Sequence, residues 1–136
     1  MRLNVILLIL GFVPSFAFAS DGYKCEIKQA LGLSDEGGLT KGGVASAVLE
    51  MNSTFIVDRG TGRLIGSKGF SNENGQFGQP QVIDDGSSEQ SFKVLTIYKP
   101  RTSVAFLEIR EFEKSKKKPF IYFGAGLIVS GICEAI

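Results

Sequence analysis

Tyr23-Lys24-Cys25-Glu26-Ile27-Lys28 alternates strictly, with Tyr23, Cys25 and Ile27 on one face and Lys24, Glu26 and Lys28 on the other. That two-residue period marks a half-buried β-strand and points Cys25 inward. The only other cysteine, Cys133, stands near the far end of the chain in another apolar segment.

Further strands follow from the same pattern. Thr54-Phe55-Ile56-Val57-Asp58 and Arg63-Leu64-Ile65-Gly66 flank Arg59-Gly60-Thr61-Gly62, a β-hairpin whose glycines permit positive φ. Val82-Ile83 reads as a brief strand, and residues 91–98 and 104–112 as two longer ones joined through Lys99-Pro100-Arg101-Thr102. Phe120-Ile121-Tyr122-Phe123 and Leu127-Ile128-Val129 flank Gly124-Ala125-Gly126, a final hairpin or one strand broken by a bulge. Residues 32–43 read as loop, and residues 67–80, with Asn72 and Asn74, as a long exposed loop. Residues 44–51 suit a short helix or a strand equally well.

Short strands joined by turn signals predict an all-β antiparallel meander. In a chain read as exported, two cysteines leave one intramolecular pairing, Cys25 with Cys133. A bond between them places their Cα atoms within about 7 Å and so brings the first and last strands together. Neighbouring terminal strands are what a closed or nearly closed barrel requires, with a β-sandwich as the alternative. In the chain-entropy model, closing a loop of roughly 100 residues contributes about 4–5 kcal/mol.

Export is read from residues 1–19. Arg2 precedes an apolar run from Val5 to Val13; Pro14 and then Ala17-Phe18-Ala19 complete a secretory signal, with cleavage expected after Ala19. Residues 20–136 are then expected to form a single β domain of the bacterial periplasm or secreted fraction. The whole chain carries 15 Lys+Arg and 14 Asp+Glu; removing Arg2 leaves 14 of each. Zero formal charge offers no general attraction to nucleic acid or anionic lipid. Phe120 to Ile132 falls short of the ~20 residues a membrane-spanning helix needs, so no span is expected in the mature chain.

The chain has no histidine, which removes Ser-His-Asp and Cys-His nucleophile systems and the commonest transition-metal ligand. Asp58, Asp84, Asp85, Glu108 and Glu111 show no spacing that singles out a catalytic pair. Asp84-Asp85-Gly86-Ser87-Ser88-Glu89 lacks the alternate-position ligands of a calcium loop and reads as an Asx-type turn. Lys114, Lys116, Lys117 and Lys118 read as a solvated hairpin tip. A non-catalytic protein without cofactor or metal is expected.

The candidate partner-binding residues are Asp58, Arg59, Thr61 and Arg63 of the hairpin turn, with Asn72 and Asn74 of the following loop. Two guanidiniums on a Gly-rich turn can hold a carboxylate or phosphate. The alternative account has Asp58 capping the turn and both arginines in solvent. The apolar residues raise a second possibility. Val104, Phe106 and Phe112 lie opposite Ala105, Leu107 and Ile109, so both strand faces are apolar. Either both are buried, or one is an exposed patch or a lined cavity. The function expected is therefore a protein-interaction module, such as an inhibitor or envelope accessory factor; the alternative is a lipocalin-like carrier of a small apolar ligand.

Overall fold

The computed structural model describes residues 21–51, 54–66, 71–72, 78–100 and 103–136; the expected leader at 1–19 and Asn74 lie outside them. Among the described residues the elements are β1 (Gly22–Leu33), β2 (Leu39–Thr40), α1 (Val44–Met51), β3 (Thr54–Asp58), β4 (Leu64–Gly66), β5 (Gly78–Asp85), β6 (Phe92–Tyr98), β7 (Ser103–Ile109), β8 (Lys117–Gly124) and β9 (Leu127–Ala135). All pairings are antiparallel, in the spatial order β4-β3-β1-β9-β8-β7-β6-β5, with β2 pairing β1. The sheet curls into a half-barrel.

Cys25 and Cys133 are directly opposite in the β1–β9 register, disulfide-bonded, with Cα atoms 3.9 Å apart. The first and last strands are thus joined as expected. Both cysteines are fully buried in one apolar cluster. Phe55 meets Phe120 edge-on at 5.2 Å, and Tyr23 lies 5.3 Å from Phe92. Those rings, with Val57, Val94, Leu107, Ile109 and Val129, fill the inside of the curl.

Four elements differ in extent from the sequence expectation. β1 continues to Leu33, where residues 32–43 read as loop, because a bulge at Lys28 shifts the phase of the strand. Before it Tyr23, Cys25 and Ile27 face inward; after it Gln29 is exposed and Ala30 takes the inward position. β5 is eight residues long instead of a two-residue strand, and it begins inside the expected 67–80 loop. As an outermost strand with one wet face it alternates polar residues and Pro80, which disguises it as loop. β7 stops at Ile109, and β8 begins at Lys117 within the lysine run.

Residues 44–51 are helical. Ala45 and Val48, three positions apart, bury one face of α1 against β1 and the core. A Cβ at Gly32 on β1 would stand in ordinary van der Waals contact with Ala45, 3.9 Å from its Cβ.

Gly131 is required where β9 crosses β1. A Cβ at this position would collide with the Glu26 carbonyl oxygen and stand 2.8 Å from the Phe120 ring. Neither the paired backbone nor the buried ring can retreat. Gly131→Ala is therefore expected to destabilise the fold by about 1–3 kcal/mol. The measurement is a lower urea midpoint at unchanged m-value; an unchanged midpoint refutes the close approach.

Candidate interaction surface

The turn between β3 and β4 shows what its charged residues do. Asp58 Oδ1 accepts from the Thr61 backbone N–H and from its hydroxyl, each at 2.7 Å, and these bonds hold the Asp58 carboxyl below its ordinary pKa. Gly62, at φ +73°, completes the turn by donating its N–H to the Asp58 carbonyl at 2.8 Å. Asp58 thus caps the turn, with Thr61 and Arg63 exposed.

Arg59 departs from the expectation of a solvent-facing guanidinium. Its side chain is only 19% exposed. Nη2 donates to the Asp85 carbonyl at 2.6 Å, Nη1 lies 3.4 Å from Glu111 Oε1, and the guanidinium sits over Tyr23 and Phe92 at 5.6 and 6.0 Å. Glu111 Oε2 accepts from the Tyr23 hydroxyl at 2.5 Å. Burial first, then this bond to a carboxylate, pushes the Tyr23 phenol well above its usual pKa. Both terminal nitrogens of Arg59 are thus engaged across the fold.

Asn72 departs in the same direction. It is 3% exposed, contrary to the expectation of a residue on an exposed loop. Its Oδ1 accepts from the Leu64 N–H at 2.7 Å, and its Nδ2 donates to the Gly62 carbonyl at 3.0 Å and the Thr96 hydroxyl at 3.2 Å. β4 and β5 are the two ends of the sheet and are not paired with each other among the described residues. Asn72 links the β3–β4 hairpin to β6, and Arg59 links the same hairpin to the end of β5. Of the polar residues singled out from the sequence, Arg59 and Asn72 therefore bridge the seam of the half-barrel. The structure brings Asp58, Arg59, Thr61 and Arg63 into one turn and places Asn72 beneath it.

Four of the five candidate carboxylates are likewise engaged within the fold. Besides Asp58 and Glu111, Asp84 receives the Gly86 N–H and lies 3.4 Å from Lys93, while Glu108 receives the Ser91 hydroxyl.

The outside of the sheet carries a different signal. In register, Leu95 pairs with Phe106, Phe106 with Phe123, Phe123 with Ile128, and Ile128 with Leu31. Directly paired residues share a face. The next row, Val94-Leu107-Tyr122-Val129-Ala30, points into the core, so the Leu95 row points out. Ile97 and Val104 pair beside it on one flank, and Ile121 lies on the other. Phe123 is 41% and Val104 51% exposed.

Five strands at about 4.8 Å make this apolar row roughly 19 Å long; Ile97 and Val104 widen it at one end, while Ile121 shares its row with Lys93, Glu108 and Ser130. The remaining outer face of β1, β9 and β8 is charged: Lys24 pairs with Glu134, which pairs with Lys117, and Glu26 and Lys28 adjoin them. The outer surface thus carries one apolar row flanked by charged and polar ones.

Strand addition at the sheet ends is disfavoured by their form. β4 is three residues long, and β5 carries Pro80, a bulge between Val82 and Asp84, and two adjacent acids. The surface offered to a partner is therefore a face. One clue to it was present in the sequence, the apolar character of both sides of residues 104–109; its assembly with four other strands needed the pairing register. No family model matches this chain, and no curated protein or solved structure is significantly similar to it.

Proposed function

We propose that this is an exported, non-catalytic protein-interaction module of the bacterial periplasm or secreted fraction, serving as an inhibitor or envelope accessory factor. Its docking surface is the outward apolar row on β6, β7, β8, β9 and the end of β1. The observation that carries this reading is the Leu95-Phe106-Phe123-Ile128-Leu31 row, continuous across five strands and uninterrupted by charge. Leaving such a row wet costs free energy that a partner recovers on covering it. Export is supported by the sequence of residues 1–19 and is compatible with the buried disulfide.

A photo-crosslinking side chain at Phe123 is expected to trap a discrete protein adduct in envelope extract, and the same group at Lys28 to trap none. Val104→Ser with Phe123→Ser should abolish capture while shifting Tm by no more than a few degrees, since both side chains are largely exposed. Equal adducts at both positions, or none at Phe123, would reject the proposed surface.

A further inference from the structure

Residues 110–116 join β7 to β8, with Lys114, Ser115 and Lys116 all exposed. The turn is held at its base. The Glu113 N–H donates to the Arg110 carbonyl at 3.2 Å, and the Lys118 ammonium donates to the carbonyls of Glu111 and Glu113. Beyond Glu113 these bonds stop. Among the described residues, the Lys114 carbonyl accepts no hydrogen bond, and the N–H groups of Lys114 and Ser115 donate none.

The other described peptide bonds that follow a lysine or arginine are tied or shielded. The Lys41 carbonyl accepts from the Ser46 hydroxyl, the Arg63 carbonyl from the Asp58 N–H at 2.9 Å, and the Arg110 carbonyl from Glu113. The Lys117 N–H, on the far side of the Lys116 bond, donates to Ser115 Oγ at 3.1 Å. The Arg59 side chain is engaged across the seam. Lys99 and Lys118 precede prolines, and Lys24, Lys28, Lys93 and Lys117 lie within strands. Among the described residues, Lys114–Ser115 alone combines an exposed basic side chain with a peptide group free on both sides.

We infer that the Lys114–Ser115 peptide bond is a site of limited proteolysis by a trypsin-like endopeptidase, and that the product is a two-chain protein held by its disulfide. Such an enzyme seats a basic side chain in a pocket carrying a carboxylate and aims N–H donors at the scissile carbonyl oxygen. It needs a lysine that can leave the surface and a carbonyl without an internal partner, and Lys114 supplies both. An exposed segment with few backbone bonds also opens at low free energy, as entry into a protease cleft requires. Hydrolysis adds one water across the bond: the C–N bond breaks, Lys114 gains a carboxylate and Ser115 a free amine. Residues 115–136 then carry β8 and β9, joined to the rest through Cys133 and through the ladders with β1 and β7. Phe123 and Ile128 lie on that piece, and Leu31, Leu95 and Phe106 on the other, so cleavage makes the outward apolar row a composite of two chains.

The test treats the purified, disulfide-intact protein with dilute trypsin and follows its intact mass. The first product is expected to gain the mass of one water while losing no piece, and reduction should then divide it between Lys114 and Ser115. Lys114→Gln should slow the first cleavage by at least about tenfold, since a pocket built to pair a cation rejects a neutral amide. Lys116→Gln should leave that cleavage within about twofold of the parent rate, because the opened population is unchanged. Both side chains are exposed and make no ion pair, so both variants are expected to keep the parent stability. A first cut at any other bond, resistance to trypsin throughout, an undiminished rate in Lys114→Gln, or loss of residues 115–136 without reduction would each overturn the inference.

Discussion

Replacing Cys25 and Cys133 together by alanine is expected to lower the thermal midpoint by roughly 10–20 °C. The bond closes a loop across a sequence separation of 108, nearly the whole described chain. In the chain-entropy model a loop of that length restrains the unfolded ensemble by about 4–5 kcal/mol, and measured losses for native bonds in small domains run about 2–5 kcal/mol. A domain of this size has about 5–15 kcal/mol in all, so the fraction lost is large. Each kcal/mol corresponds to roughly 4–5 °C here. The two thiols also occupy the fully buried pair of positions between β1 and β9, so alanine adds a small packing loss to the entropic one. Calorimetry of the double variant against the oxidised protein measures the effect. A fall of less than about 1 kcal/mol would show that β1 and β9 hold together without the covalent link.

Asn72→Ala is expected to cost about 2–5 kcal/mol. The truncation strands the Leu64 N–H, the Gly62 carbonyl and the Thr96 hydroxyl inside the fold, and each buried polar group left unpaired costs about 1–3 kcal/mol. The contributions do not add fully, because water can enter once the amide is gone. The loss is local in character. Hydrogen exchange should show the Leu64 amide opening far more readily while amides in β8 and β9 keep their relative protection. If stability changes by less than about 0.5 kcal/mol, the seam is held by something other than this side chain.

Much of the architecture can be read from two short-range signals, alternation and turn chemistry. Both hairpins, at residues 54–66 and 120–129, appear where β-branched and aromatic runs flank glycines. The cysteine count named the one cross-link. What escaped has a common physical origin, since it depends on partners distant in the chain. The bulge at Lys28 puts two polar residues in succession and hides the second half of β1. β5 reads as loop because its outer face is polar, and only pairing with β6 makes it a strand. Arg59 and Asn72 have residue types suited to a binding loop, and nothing local reveals that their donors are spent on Asp85, Glu111, Gly62 and Thr96. The apolar row was half visible, as an apolar second face on residues 104–109, but Leu31 and Ile128 join it only through register.

The covalent ring closed by Cys25 and Cys133 takes in every strand, in whole or part, and every turn between them. A protease that nicks any single turn inside that ring produces two fragments that remain one molecule. In the exported setting proposed above, such a ring keeps a single cut from separating the two halves of the chain.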